Sequence, residues 1–179
     1  MRSTTFVLHT FIALLLGATG AAAFTTGAET AKLVANETAK LVASDAEEND
    51  NFGISVAISG DLVVVGAWGN GDAYSNSGSV YVYNTTDGGA SWNQTAKLVA
   101  SDAEENDRFG VSVAISGDLV VVGANGNGHA GDFSGSAYVF LTTDGGASWN
   151  ETAKLVASDA AKSDFFGDSV AVSGDLVVV

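Results

Sequence analysis

The groups that could do chemistry in this sequence are mostly carboxylates, and they recur. Asp45-Ala46-Glu47-Glu48-Asn49-Asp50 returns unchanged in type from Asp102 to Asp107. So many close oxygens invite a calcium ion, yet the run lacks the alternating spacing and the turn glycine of a calcium loop. The expectation is a solvated acidic loop with weak calcium binding at most, and no other cofactor. Histidine occurs only as His9, in an apolar N-terminal run, and His129. One histidine in a chain without cysteine cannot build a zinc site. Serines abound, but no G-x-S-x-G setting appears, and a triad has no base unless His129 serves. The chain is expected not to be an enzyme.

Recognition is the remaining chemistry, and comparing the chain with itself shows where it could sit. KLVASDAEENDNFG begins at Lys40, KLVASDAEENDRFG at Lys97 and KLVASDAAKSDFFG at Lys154, an offset of 57 residues each time. Residues 40–96 and 97–153 differ at eleven positions, and five of these fall between 68 and 76. They are Trp68/Asn125, Asp72/His129, Tyr74/Gly131, Ser75/Asp132 and Asn76/Phe133. A framework held constant around one varied loop is the usual arrangement of a binding scaffold. Trp68, Asp72, Tyr74, His129, Asp132 and Phe133 are therefore the candidate ligand-binding residues. Neutral drift in an exposed loop is the competing explanation.

These loops must hang on strands. Gly is frequent, Pro and Cys are absent, and Val-rich stretches alternate with Gly, Asn, Asp and Ser, the texture of short strands and tight turns. Each unit is read as four antiparallel strands: Thr95 to Ala100, Val111 to Ser116, Leu119 to Ala124 and Ser136 to Leu141. Val113 and Ile115 share one face of the second. Gly117-Asp118 joins the second and third through a type II′ turn, and LVVVGA reads as a strand buried on both faces. Four antiparallel strands repeating at this length predict an all-β fold of propeller blades. Repeat 1 spans 40–96, repeat 2 spans 97–153, and a partial repeat 3 spans 154–179. Residues 24–39 form a prelude that echoes TAKLVA twice. Closed propellers usually take four to eight blades, so the chain is expected to be part of a longer one or to associate with other copies through its open blade ends, the first being favoured.

Phe52-Gly53-Ile54-Ser55-Val56-Ala57 with Asp61-Leu62-Val63-Val64-Val65-Gly66-Ala67 resembles the FG-GAP repeat of integrin α-subunit propellers. Phe109-Gly110 with Asp118 to Ala124 repeats the pattern, and Phe166-Gly167 with Asp175 to Val179 begins it again. The resemblance implies an extracellular propeller used for binding or adhesion. It departs from the family where Trp68 or Asn125 replaces Pro, and where the family's calcium loop is cut to Ser59-Gly60-Asp61. That turn offers too few oxygens for calcium, so the family's metal site does not carry over. Thr85-Thr86-Asp87-Gly88-Gly89-Ala90-Ser91-Trp92, and its twin at Thr142 to Trp149, is similar to the Asp-box hairpin of sialidase-like propellers. The resemblance gives Asp87, Trp92, Asp144 and Trp149 a structural role. Sialidases use an arginine cluster, whereas Arg108 is the one arginine beyond Arg2, so a degenerate glycoside hydrolase is a minor alternative.

Arg2, the apolar stretch from Phe6 to Leu16 and the small residues Ala21-Ala22-Ala23 predict a cleaved signal peptide over residues 1–23. The apolar stretch is too short to span a bilayer, so no membrane insertion is expected after cleavage. Secretion makes the Asn-x-Thr sequons at Asn36, Asn84, Asn93 and Asn150 candidate glycosylation sites. The net charge of −14 argues against nucleic acid as a partner. The sequence thus predicts a secreted, non-enzymatic binding or adhesion module whose partner is an extracellular protein or glycan. A structural wall or matrix repeat protein is the alternative.

Overall fold

The computed structural model describes residues 39–72 and 74–179; the signal segment, Asn36 and most of the prelude lie outside the described residues. The described chain is all β, with no helix among its residues. β1 (Ser55–Ser59), β2 (Leu62–Ala67), β3 (Ser79–Asn84) and β4 (Asn93–Leu98) form one antiparallel sheet in that order. β5 (Ser112–Ser116), β6 (Leu119–Ala124), β7 (Ser136–Leu141) and β8 (Asn150–Leu155) form a second with the same register. β9 (Ala171–Ser173) and β10 (Leu176–Val178) begin a third. The innermost strands stand side by side, β1 against β5 and β5 against β9, as blades do around a propeller axis.

One expectation is corrected here. The Thr95 to Ala100 segment, read as the first strand of a unit, is the last strand of the preceding sheet, ending at Leu98. The strands read as second, third and fourth are accordingly the first, second and third of their sheet. The cause is loop length. An eight-residue hairpin, Thr85 to Trp92, returns β3 directly onto β4, and Val80 faces Leu98 across the ladder. Short connections favour antiparallel neighbours, whereas thirteen residues separate β4 from β5. Each structural sheet therefore crosses a boundary between sequence repeats, at 96/97 or 153/154, while the period of 57 stands.

The Gly60-Asp61 turn has φ +57° at Gly60, with no positive φ at Asp61, the first-position geometry of a type II′ turn. Its copies are laced together: Gly117 N–H donates to Ser59 Oγ at 3.0 Å and Gly174 N–H to Ser116 Oγ at 3.1 Å.

The core lies between the sheets. Leu62, Val64, Val80 and Val82 of the first sheet pack against Val113, Ile115, Val120, Val122, Tyr138 and Phe140 of the second. Phe109 is fully buried between them and meets Tyr138 and Phe140 edge-on at 5.5 and 5.9 Å. Burying each such side chain stabilises the seam by roughly 1.5–3 kcal/mol.

The Phe-Gly and Gly-Ala phrases fit into each other across this seam. A Cβ on Gly66 would overlap the Gly110 carbonyl oxygen, and one on Gly78 would overlap the Phe109 backbone. Ser55 Oγ donates to that same Gly110 oxygen at 2.7 Å. Asn106, Arg108 and Phe109 donate backbone N–H groups to Ser75, Asn76 and Ser77 at 2.9–3.0 Å. The next junction repeats every element of this: Ser112 Oγ to Gly167 O at 2.7 Å, and Ser163, Phe165 and Phe166 onto Asp132, Phe133 and Ser134.

Candidate functional site

The varied loops, 68–78 after β2 and 125–135 after β6, join blades through their backbones. The six candidate ligand residues divide between them, three to a blade, and do not converge on one pocket. Asp72 pairs with Lys97, which also reaches Asp45 at 2.6 Å and stands 5.3 Å from the centre of the Tyr81 ring. Burial opposes the lysine's charge, but hydrogen bonds from the two carboxylates outweigh it and hold its pKa above the ordinary lysine value. Asp132 pairs with Lys162 at 2.7 Å, which lowers the carboxyl's pKa. Trp68 and Phe133 are half-buried, and the Arg108 guanidinium lies between their rings at 5.5 and 5.3 Å. Phe133 also contacts Phe165 at 5.8 Å.

Tyr74 and His129 remain free. Tyr74 is 57% exposed. His129 is exposed, its N–H donating to Asn127 Oδ1 at 3.3 Å, and it lines a shallow depression of about 260 Å³ with Asp102, Glu104 and Lys154. A neighbouring depression of about 330 Å³ is bordered by Glu104, Glu105, Asp132 and Phe133. The surface these residues form can offer a phenol, an imidazole and several carboxylates to a ligand; it holds no nucleophile–base pair.

The acidic runs are not the solvated loops the sequence suggests. Asp45 is tied to Lys97, and Asp102 accepts from Lys154 at 2.6 Å and from the Tyr138 hydroxyl at 2.8 Å. Burial and the bond to Asp102 push the Tyr138 hydroxyl's pKa well above its ordinary value. Asp50 and Asp107 are buried. Asp107 Oδ2 accepts from Glu104 N–H at 2.9 Å and Asn127 Nδ2 at 3.0 Å. Asn127 Oδ1 in turn accepts from the Ser136 hydroxyl at 2.9 Å. Asp50, Asn70 and Ser79 form the same chain one blade earlier. Burial raises the Asp107 pKa against these bonds. Only Glu47, Glu48, Glu104 and Glu105 stay open to solvent. Among the described residues, no group of three or more acids and histidines is arranged to hold a metal ion.

The lysines, tyrosines and asparagines of these networks were missed by sequence reasoning. Their signal was present: Lys97, Tyr81 and Asn70 each recur 57 residues later as Lys154, Tyr138 and Asn127.

In the β3–β4 hairpin, Asp87 Oδ1 accepts from the Thr85 hydroxyl at 2.8 Å and Ser91 N–H at 2.9 Å, and Oδ2 from the Ser91 hydroxyl at 2.6 Å. The Ser91 hydroxyl, then its N–H, then Thr85 lower the Asp87 pKa to about 2. Asp144 makes the equivalent bonds with Thr142 and Ser148, and its carboxyl is held well below the usual range. Trp92 packs under the first sheet beside Tyr81 and Tyr83, and Trp149 against the inter-sheet core. Trp149 Nε1 donates to Gly146 O at 3.2 Å. Of the sequons, Asn93 and Asn150 are exposed at the first residue of β4 and β8, while Asn84 is half-buried directly opposite Asn93.

No curated protein matches the sequence. Among solved structures, the crystal structure of Saccharomyces cerevisiae Sqt1 is similar at 13% identity and a TM-score of 0.41, over 64% of this chain and 26% of that one. The family model of the FG-GAP repeat matches residues 35–83, 92–140 and 149–179. With the Phe-Gly and Gly-Ala phrases meeting across each seam, and most of the sequence within those three matches, the chain belongs to the FG-GAP repeat family.

Proposed function

We propose that this protein is an extracellular, non-enzymatic recognition module that binds a protein or a glycan through the loop side of its blades. The observation that carries this reading is the division of labour between the two units. Strands, Asp-box hairpins and seam glycines are the same in both, while the loops after β2 and β6 differ and leave Tyr74 and His129 open beside shallow depressions. A phenol ring and an imidazole at a shallow surface suit stacking on sugar faces or packing against a partner. Arg2, the apolar leader and the exposed sequons at Asn93 and Asn150 support export. The repeats themselves point to a binding or adhesion module.

The test is a panel of immobilised glycans and matrix proteins probed with the secreted chain. Specific binding that Tyr74→Ala or His129→Ala weakens at least tenfold, with folding intact, is the expected result. The near-identity of the two units equally suits a purely structural repeat, and a uniform blank across the panel would favour that reading.

A further inference from the structure

We propose that the chain associates with a second copy of itself head to tail, the open face of its first sheet receiving the open face of the third unit. The argument rests on equivalent residues in different surroundings. Val113 and Ile115 on β5 are 9% and 8% exposed, whereas Val56 and Ile58, their counterparts on β1, are 60% and 64% exposed. Sequence and register are the same at the two places: Val56 pairs with Val65 as Val113 pairs with Val122. The preceding loop is also alike. Leu41, Ala43 and Phe52 pack on Tyr81 and Tyr83 of the first sheet, as Leu98, Ala100 and Phe109 join Tyr138 and Phe140 in the core before the second. What the first sheet lacks is the neighbour that covers Val113 and Ile115, namely a face bearing Leu62, Val64, Val80 and Val82.

The same molecule presents part of such a face at its other end. Leu176 and Val178 stand 57 residues after Leu119 and Val121 and 114 after Leu62 and Val64. Leu176 is 74% and Val178 66% exposed, against 8% and 0% for Leu62 and Val64 in the occupied seam. The occupied seam is thus the template for the open one, side chain for side chain. Other exposed valines do not share this logic: Val42 and Val99 are exposed in both complete units and Val156 in the third, so no neighbouring blade covers that position. The two faces are different surfaces, so the contact is heterologous and propagates into a ring or an open chain of copies.

The experiment uses the full secreted chain and two variants at positions already exposed, Ile58→Lys at one end and Val178→Lys at the other. Mass is read by size-exclusion chromatography with light scattering over a concentration series, and each protein's fold by circular dichroism and thermal melting. The wild-type mass should rise with concentration. Each variant alone keeps one end blocked on every molecule and should stay monomeric. Mixed in equal amounts, the two should form a dimer and nothing larger, through the one pair of unblocked faces. Association of either variant alone, a mixture that stays monomeric while both are folded, or a wild-type chain that is monomeric throughout would overturn the proposal. Val56→Lys and Leu176→Lys repeat the design if a first variant fails to fold.

Discussion

Replacing Gly66 by Ala separates crowding from conformation at the seam. Gly66 lies within β2 and its φ is not positive, so alanine suits the backbone and would by itself gain about 0.4–1 kcal/mol by restricting the unfolded chain. The added methyl, however, falls on the Gly110 carbonyl oxygen and the Ser55 hydroxyl. Opening that space costs about 1–3 kcal/mol of strain. It also breaks the bond from Ser55 Oγ to Gly110 O, about 0.5–1.5 kcal/mol more. The expected net loss is about 2–3 kcal/mol, which at a urea m-value of about 1–3 kcal/mol per molar lowers the unfolding midpoint by about 1 M. Ser55→Ala alone should cost only the hydrogen bond, and in the Gly66→Ala background almost nothing, because the bond is already gone. Gly60→Ala is the control. That site is open, with φ +57°, and should cost about 1–2 kcal/mol from the left-handed conformation alone. A Gly66→Ala chain with its midpoint at or above wild type would refute the interlocking seam.

Phe109→Ala should cost about 3–5 kcal/mol, since the ring is fully buried against Tyr138 and Phe140; Phe165→Ala, whose ring is 40% exposed, should cost clearly less in the same denaturation series. Asp87 titrates at about 2 in the folded chain against an ordinary 3.8, so its contribution is present above pH 3.8 and lost as pH falls through 2. An acid titration of the melting temperature should flatten over that window in the Asp87→Asn, Asp144→Asn double variant. The Asp107 pKa is raised, so its contribution is lost as pH rises through the folded value. Asp107→Asn keeps an acceptor for Glu104 and Asn127 and should leave stability at neutral pH equal or higher, whereas Asp107→Ala should lose about 1–3 kcal/mol.

The fold was legible because the repeat multiplies a weak signal. LVVVGA, the Gly-Asp turn and the Phe-Gly phrase each mean little alone, and their return every 57 residues defines a blade. The phase of the blade was not legible. TAKLVA precedes a unit in sequence, but only the hairpin from Thr85 to Trp92 decides which sheet it joins, and period alone gives no sheet boundary. The binding loop was half legible. Variation between the copies located it, but Asp72, Asp132, Trp68 and Phe133 spend their groups on Lys97, Lys162 and Arg108. The acidic runs misled because composition does not tell a buried, hydrogen-bonded Asp107 from a solvated Glu105. That distinction depends on Asn127, twenty residues away.

Each 57-residue copy carries a plug, the Phe-Gly loop ahead of its first sheet strand, and a socket, the paired glycines after its second and before its third. Plug and socket belong to neighbouring copies, and all copies use the same pattern. Excising residues 97–153 would bring the Phe166-Gly167 plug to the Gly66 and Gly78 socket with every joint intact. Inserting another copy would do the same. A gene built this way can lengthen or shorten by whole copies through unequal recombination without refitting a single contact, while gain or loss of any other length leaves a plug with no socket. Blade number is therefore the inherited variable that such a design leaves free.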